Sequence, residues 1–343
     1  MGLRSRIKLP GGYTLEGSPH DWARWAFWVP LREALDPRKP EQLRRAYPLW
    51  RAQYAAAGSQ KEAMRAELRA IFGDDDEQRV RDAYRIAFRV HLEEVLLGKL
   101  TPDTWPNFMR FEGRENLDAA LDRGKGAIIA VPHAGNFMMM IASVSLAGYP
   151  YTQYAARGMA PPDVAAEHAQ VFGVNKWREV ARAARESNED KLPANFITLE
   201  TNARELYRRL DANEVVGISP DGRIGNKFVP VHYLGRQALL NPGVARLARA
   251  TGAAIVPTFC SAPEHDVNIC TFADPIYPVD DAGKKRGWRE LLEAYFVGAV
   301  EPWVREHPGE YGIWLAHCRE RAAVDDHPLF TDYAPDDRYK KHL

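Results

Sequence analysis

The fold is decided by residues 123–150, which read RGKGAIIAVPHAGNFMMMIASVSLAGYP. No Asp, Glu, Lys or Arg occurs between Lys125 and Arg157, so this segment belongs in the protein interior. The apolar run 127–131 has the length of a strand, and the Pro, Gly and Asn that follow favour a sharp turn before a second apolar run. The turn interrupts the apolar sequence before the ~20 residues that a membrane-spanning helix requires. The segment therefore predicts a buried strand, a turn and a buried helix.

His133 is the polar side chain at this turn, where the strand ends and the helix begins. In open α/β sheets, ligands and reacting groups lie at the carboxyl ends of the strands, and a helix start offers unpaired N–H groups beside them. A single histidine is equally often a hydrogen-bonded structural residue. The segment alone leaves both interpretations open.

The composition fits a globular protein without a dominant charge. The 343 residues suffice for one large domain, or for a domain with an extension, and include 46 basic and 46 acidic side chains. This balance excludes the positive field of a nucleic-acid-binding protein over the whole chain. Cys260, Cys270 and Cys318 are an odd number without metal-ligand spacing, which favours a reducing compartment. The N-terminal stretch MGLRSRIKLPGGYT lacks the apolar core of a signal peptide, so we expect a cytoplasmic location.

The N-terminal part of the chain is predicted to be helical. Ser18-Pro19 is a helix-start pair, and the helix after it crowds Trp22, Trp25 and Trp28 into two turns. These aromatic side chains fit a core helix, which we favour, or an element that rests on a membrane surface. We assign residues 1–75 to an N-terminal helical extension.

Beyond Asp103 the pattern changes to alternating strands and helices. This pattern predicts an α/β domain with a central, mostly parallel sheet flanked by helices. The charged segment 181–195 is expected to be exposed or mobile. We assign residues 76–326 to this domain and residues 327–343 to a polar, loosely ordered C-terminal tail.

A second turn follows a predicted strand at 215–219. Its sequence, PDGRIGNK, contains Asp221, Gly222, Arg223 and Lys227. A histidine base and a carboxylate that orients it or binds substrate are the minimum for removing a proton from an attacking hydroxyl or amine. A Pro-Asp-Gly turn on its own is most often only a β-turn, so this turn gains weight only from its context.

Three segments, taken in order, resemble the lysophospholipid acyltransferase superfamily and most closely its bacterial lipid A (lauroyl/myristoyl) acyltransferase branch. They are FEGRENLDAALDRGKGAIIAVPHAGNF, ISPDGRIGNKFVPVHYLGRQALLNPGVARLARATGAAIVPTF and EPWVREHPGEYGIWLAHCRE, and the resemblance covers about residues 82–322. In that family a histidine followed after four residues by Asp or Glu carries the general base, and a later Pro-acid-Gly block helps to form the acceptor site. His133 falls on the base, Asp221 on the acid of the later block, and Val256-Pro257 on a strand that supports the pocket.

The resemblance implies an acyltransferase that moves a fatty acyl group from an acyl-ACP or acyl-CoA thioester to a hydroxyl or amine, with no metal and no redox cofactor. His133 deprotonates the acceptor in this scheme, and backbone N–H groups near Gly135 and Asn136 stabilise the oxyanion. Met138 and its apolar neighbours in 137–141 are candidates for the acyl pocket, although a helix core is the more common use of such side chains.

The implied partners are an acyl carrier protein or CoA thioester and a lipid or small-molecule acceptor. Gly222, Arg223 and Lys227 are assigned to substrate binding, and the two cations are candidates to bind phosphate or an acidic carrier. Peripheral contact with the inner face of the membrane is compatible with this scheme.

The sequence departs from the family pattern at the acid. The position that holds Asp or Glu in the family is Met138, whose side chain cannot accept the imidazole N–H. Three explanations remain open. Another carboxylate reaches His133, with Asp221 the first choice and Glu200 the second, or the acceptor is a more nucleophilic amine. In the third explanation the site is inactive and the protein binds acyl chains or acyl carriers. The first explanation predicts that the Asp221 carboxylate lies within about 3.5 Å of an imidazole nitrogen, because both turns end strands at one edge of a parallel sheet.

Overall fold

The computed structural model describes residues 5–8, 14–17, 19–56, 58–74, 76–155, 176–198, 203–223, 225, 227–280, 282–322 and 325–334. Two of the residues singled out above, the predicted helix cap Ser18 and the candidate acid Glu200, lie outside these ranges.

A mixed, mostly parallel sheet forms the centre of the described chain, in the order β3-β11-β10-β4-β7-β5-β6. Only β10 and β11 pair in antiparallel fashion, and the other neighbours in this sheet are parallel. Two further pairs, β1-β2 and β8-β9, are separate antiparallel hairpins. The described strands are β1 Ser5–Lys8, β2 Thr14–Gly17, β3 Met109–Glu112, β4 Ala127–Ala130, β5 Tyr151–Tyr154, β6 Asn195–Ile197, β7 Val215–Ile218, β8 Val229–Tyr233, β9 Arg236–Leu240, β10 Ala254–Ser261 and β11 Asn268–Phe272.

Helices cover both faces of the sheet. Two π-helical turns, Phe27–Leu31 and Phe296–Val300, continue α1 into α2 and α12 into α13. The described helices are α1 Pro19–Ala26, α2 Arg32–Ala34, α3 Pro40–Arg44, α4 Trp50–Ala56, α5 Ser59–Phe72, α6 Glu77–Glu94, α7 Arg114–Asp122, α8 Phe137–Leu146, α9 Lys176–Glu189, α10 Arg204–Asp211, α11 Gly243–Thr251, α12 Trp288–Tyr295, α13 Glu301–Glu306 and α14 Pro308–Arg321.

The core lies on the two sides of strand β4, which is fully buried. Alternate side chains of a strand point to opposite faces of the sheet. Ile128 accordingly packs in an apolar cluster with α11, α12 and α14, and Ile129 packs in a second cluster with α7 and α8. This two-sided burial confirms the strand predicted at 127–131 and the predicted α/β class.

The predicted strand at 215–219 is present as β7, whereas three strands of the sheet, β3, β5 and β6, were not predicted. Strands β3, β5 and β6 include polar residues among their three or four positions, so they lack the continuous apolar run that marks β4 and β7. The expectation that 181–195 is exposed or mobile is wrong in part. Helix α9 covers the first nine residues of this segment and buries Ala181 against Trp28, because Ala181 and Ala184 share one face of the helix.

The N-terminal aromatic helix contributes to the core, as favoured above. Trp28 is buried, whereas Trp22 and Trp25 are partly buried. Within the described ranges, no helix combines the length and the apolar composition needed to cross a bilayer. The division of the chain at residues 75 and 326 stays a prediction.

The start of the expected C-terminal tail is ordered, which corrects the expectation of a loosely ordered segment. Leu329 and Phe330 are buried, and the carbonyl of Leu329 accepts the Leu239 N–H at 2.8 Å. This segment lies along β9. The expectation failed because it was based on the polar composition of the whole tail and overlooked its apolar residues Leu329 and Phe330. Residues 335–343 lie outside the described chain.

Candidate active site

The two turns singled out in the sequence lie side by side. Strands β4 and β7 are parallel neighbours with Ala130 opposite Ile218, and the Val131 N–H donates to the Ile218 carbonyl at 3.0 Å. The chain therefore leaves both strands at the same edge of the sheet. This pairing carries His133 and Asp221 to one place.

The predicted contact between His133 and Asp221 is present. The imidazole Nδ1 lies 2.8 Å from Oδ1 of Asp221, and the His133 backbone N–H donates to Oδ2 at 2.9 Å. A carboxylate only accepts hydrogen bonds, so the assigned tautomer of a neutral His133 carries its proton on Nδ1. The other nitrogen, Nε2, then has a free lone pair, which is the arrangement that a general base requires.

Tyr311 provides a third hydrogen bond to the same carboxylate. Its hydroxyl donates to Oδ2 of Asp221 at 3.0 Å, and both side chains are fully buried. Burial raises the pKa of Tyr311 well above its ordinary range, with the charge of Asp221 as a second cause, so the hydroxyl keeps its proton and stays a donor. The buried carboxylate thus accepts three hydrogen bonds, two from His133 and one from Tyr311.

Aromatic rings hold the imidazole of His133 in its plane. The indole of Trp314 stacks on it with centroids 4.0 Å apart and planes inclined by 12°, and the ring of Phe137 approaches edge-on at 5.3 Å. His317 stacks on Trp314, and burial lowers its pKa to about 4. The His133 side chain keeps 27% of its surface exposed, so it stays partly accessible from outside the protein.

Gly135 is at a position that only glycine can occupy. Its φ of +54° lies in the left-handed region, and a Cβ there would come within 1.8 Å of the Cys260 carbonyl oxygen. Its N–H donates to the Glu310 carbonyl at 3.1 Å. This N–H is therefore engaged within the protein, which disfavours the expected oxyanion role for Gly135.

Glu310 is a buried acid directly behind this turn. Its Oε1 accepts the Ala262 N–H at 2.7 Å, whereas Oε2 is buried and has no hydrogen-bond partner in the described chain. Burial raises the pKa of Glu310 to about 7, because the ionised form is poorly solvated there. A carboxyl group that changes charge near neutral pH thus lies against the loop of His133.

Asn136 is buried and serves as the cap of α8. Its Oδ1 accepts the Met139 N–H at 3.1 Å, and its Nδ2 donates to Oε2 of Glu93 at 2.7 Å. Glu93 is itself fully buried and also accepts from Arg89 at 2.8 Å. The side chain of Asn136 therefore fixes the start of α8 and is buried away from a substrate, whereas the oxyanion role expected for backbone N–H groups near Asn136 stays a prediction.

The other residues assigned to substrate binding are two uncharged residues, Met138 and Gly222, and two cations, Arg223 and Lys227. Met138 is partly buried in the apolar cluster on the α8 face of the sheet, and Gly222 lies beside the imidazole, where a Cβ would be 3.7 Å from its Cε1. Arg223 donates to the carbonyls of Leu239, at 2.7 Å, and His327, and its side chain is only 5% exposed. Lys227 is exposed. Of the two cations expected at the site, only Lys227 is available to a ligand.

Sequence reasoning missed the contribution of α14. Tyr311 and Trp314 are three positions apart, which puts them on one face of a helix. The segment EPWVREHPGEYGIWLAHCRE was part of the family resemblance, but nothing in it indicated a contact with His133. No group of three or more His, Cys, Asp and Glu side chains that could hold a metal ion occurs in the described ranges.

Comparison with known proteins shows the family to which this chain belongs. The family model described as bacterial lipid A biosynthesis acyltransferase matches residues 22–317. A phosphatidylinositol mannoside acyltransferase of Mycolicibacterium smegmatis is 25% identical over 268 residues, which cover 76% of this chain and 79% of the relative. A protein of the same name from Mycobacterium tuberculosis strain CDC 1551 is 30% identical over 148 residues, 43% of this chain. This match spans only 42% of the length of that relative. The chain belongs to the bacterial lipid A biosynthesis acyltransferase family.

Proposed function

We propose that this protein transfers a fatty acyl group from a thioester donor to a hydroxyl group of a lipid acceptor, with His133 as general base. The observation that supports this proposal is the 2.8 Å contact between Nδ1 of His133 and Oδ1 of Asp221. In this contact Asp221 supplies the carboxylate that the family pattern has at the position of Met138. The family membership and the names of the relatives agree with acyl transfer to a lipid.

The Asp221 contact bears on the three explanations for Met138. An imidazole whose Nδ1–H is held by a buried carboxylate has its Nε2 oriented, and the imidazolium that forms in the reaction is stabilised. A site with this arrangement does not need an amine acceptor to compensate for a weak base. It also opposes the alternative of an inactive protein that only binds acyl chains.

In the proposed step, Nε2 of His133 takes the proton of the acceptor hydroxyl as its oxygen attacks the thioester carbonyl. A C–O bond forms, the tetrahedral oxyanion collapses and the C–S bond breaks. The thiolate leaves and takes the proton from the imidazolium, which restores neutral His133. No residue carries the acyl group, and the step uses no metal and no redox cofactor.

The oxyanion is best placed near the first turn of α8. Gly135 already donates its N–H to Glu310, and the N–H of Met139 is capped by Asn136. The N–H groups of Phe137 and Met138 belong to the turn that intrahelical hydrogen bonding leaves unpaired. They lie at the positive end of the helix dipole, which favours a developing negative charge.

The relatives' names specify phosphatidylinositol mannosides, which supports a glycolipid as the acceptor class. We therefore infer a glycolipid hydroxyl as the first acceptor to test. The donor is an acyl-CoA or acyl carrier protein thioester, with exposed Lys227 as a candidate contact for its phosphate. Both substrates carry lipid chains, which favours work at a membrane surface.

The test is a mass-spectrometric search for products. Purified protein is incubated with palmitoyl-CoA or palmitoyl carrier protein and with one of three acceptors: a mannosylated phosphatidylinositol, the same lipid without mannose, and a lipid with a primary amine. We expect an ester on the mannosylated lipid and release of one thiol for each ester formed. Acylation of the amine alone would favour the amine explanation, and absence of any product with both donors would favour the acyl-binding alternative.

A further inference from the structure

Helix α14 contacts the turn of His133 and the turn of Asp221 at three points. The Glu310 carbonyl accepts the Gly135 N–H at 3.1 Å, the Tyr311 hydroxyl donates to Asp221 at 3.0 Å, and the Trp314 indole covers a face of the imidazole at 4.0 Å. None of these three residues belongs to the two turns from which the candidate base and acid come.

We propose that Tyr311 and Trp314 are positioning residues for the acyl transfer, Tyr311 acting through Asp221 and Trp314 through His133. This inference rests on the proposed function. It adds a third chain segment, α14, to the catalytic arrangement of two turns.

Tyr311 fixes the orientation of the carboxylate. Oδ2 of Asp221 accepts from the Tyr311 hydroxyl and from the His133 backbone N–H, which leaves Oδ1 pointed at Nδ1. With only one donor on Oδ2, the carboxylate is free to rotate about its Cβ–Cγ bond, which weakens the bond that orients the imidazole. Hydrogen bonds to a buried ionised group are among the stronger ones in proteins.

Trp314 fixes the orientation of the imidazole. Its indole N–H is buried without a hydrogen-bond partner in the described chain, so the ring contributes to the site through its face. The nearly parallel stack opposes rotation of the imidazole out of the plane in which Nδ1 meets Asp221. An aromatic face also attracts a cation, and His133 becomes one when it takes the acceptor proton.

Helix α14 is held firmly enough to serve this purpose. Arg319 at its end donates to the buried carboxylate of Glu67 on α5 at 2.7 Å. Gly312 packs so closely on α6 that a Cβ there would lie 3.0 Å from the Cβ of Ala83.

The test of Tyr311 is the conservative variant Tyr311→Phe, which removes one hydroxyl. We expect kcat to fall about tenfold, the usual effect of one hydrogen bond to a charged group, with KM within about twofold. The matched control is Tyr333→Phe, because the Tyr333 hydroxyl also donates to a buried carboxylate, Glu67, at 3.1 Å. That control should keep its kcat.

Repeating the Tyr311→Phe substitution in a second mutant protein separates a positioning role from a general loss of activity. In an Asp221→Ala protein the Tyr311 hydroxyl has no carboxylate to orient, so adding Tyr311→Phe should lower the residual rate no further. An equal fold loss in both backgrounds would show that Tyr311 acts independently of Asp221 and would overturn its assignment.

Trp314 is tested with a pair of variants. Trp314→Phe keeps a ring face and should retain most of kcat, whereas Trp314→Leu should lower kcat about tenfold with little change in KM. Trp303→Leu is the control, since Trp303 stacks on Phe259 and not on His133. Equal kcat for the Phe and Leu variants of Trp314 would overturn its assignment.

A measurement without turnover keeps the two proposals distinguishable. The Nδ1–H proton of His133 should give a low-field NMR resonance that is absent in His133→Ala. We expect it to persist in Tyr333→Phe and to broaden in Tyr311→Phe and Trp314→Leu, because the loosened pair exchanges its proton with water. An unchanged resonance in the last two variants overturns the positioning role. A wild-type protein that shows the resonance but transfers no acyl group refutes the proposed function instead.

Discussion

Replacing Asp221 by asparagine changes one atom at the centre of the site. The amide oxygen can take the place of Oδ2 and keep the hydrogen bonds from the His133 N–H and the Tyr311 hydroxyl. The amide nitrogen then stands where Oδ1 lies, 2.8 Å from Nδ1 of His133. Because that nitrogen only donates, Nδ1 has to become the acceptor, and the imidazole proton moves to Nε2.

The stability and the activity should therefore respond very differently to Asp221→Asn. Two of three hydrogen bonds persist and the third is reversed, so the free energy of unfolding should change by no more than about 1 kcal/mol. The proton on Nε2 blocks the nitrogen that has to accept the proton of the acceptor hydroxyl. In a serine protease the same exchange lowers kcat about 10⁴-fold, and we expect a loss of roughly 10³ to 10⁴ here.

The assay compares kcat with urea unfolding for wild type, Asp221→Asn and Asp221→Ala. The alanine variant leaves the Tyr311 hydroxyl and the His133 N–H buried without a partner, which costs about 1 to 3 kcal/mol for each group. It should therefore be clearly less stable than the asparagine variant. An Asp221→Asn protein that keeps kcat within tenfold of wild type refutes the reasoning, since its Nε2 would then still act as a base.

Three further predictions concern residues around this pair. The pKa of Glu310 is raised from 4.5 to about 7 in the folded protein, so its contribution to the free energy of unfolding is complete below pH 4.5 and is lost by about pH 7. This loss should amount to roughly 3 kcal/mol in urea unfolding of the wild type, and it should disappear in Glu310→Gln. Equal pH dependence in wild type and variant would contradict this. Gly135→Ala should lower both the melting temperature and the activity, because the new Cβ meets the Cys260 carbonyl at 1.8 Å, and a variant with wild-type melting and kcat would exclude this clash. Met138→Asp should partly restore kcat to Asp221→Asn if the family position reaches His133, and unchanged kcat would show that only the turn after β7 does.

The sequence predicted the parts of the fold that have strong local signals. The fully apolar run at β4 and the polar turn after it led to the α/β class and to the carboxyl edge of the sheet as the place of chemistry. Strands β3, β5 and β6 interrupt their few apolar residues with polar ones, so they carry no such signal. The antiparallel direction of β11 depends on the hairpin with β10, which the strand pattern does not specify.

The candidate site was predictable as far as it depends on the two turns. His133 and Asp221 were paired because parallel strands end at one edge, and the structure confirms the contact. Tyr311 is 90 positions from Asp221, so their hydrogen bond depends on the packing of α14, which no local pattern reveals. Arg223 was misjudged as a ligand contact for the same reason, since its partner His327 belongs to a segment expected to be loose.

The measurement that tests the central claim most directly is the rate of acyl transfer by His133→Ala. Wild type, His133→Ala and a control, His91→Ala, are compared at saturating thioester and mannosylated lipid, with product quantified by mass spectrometry and folding checked by circular dichroism. His91 is exposed on α6, so its replacement should leave kcat unchanged. With His133 as the base, His133→Ala should keep the wild-type spectrum and lose at least about 10³-fold in kcat. A folded His133→Ala protein that transfers acyl groups at nearly the wild-type rate contradicts the assignment of His133 as the general base.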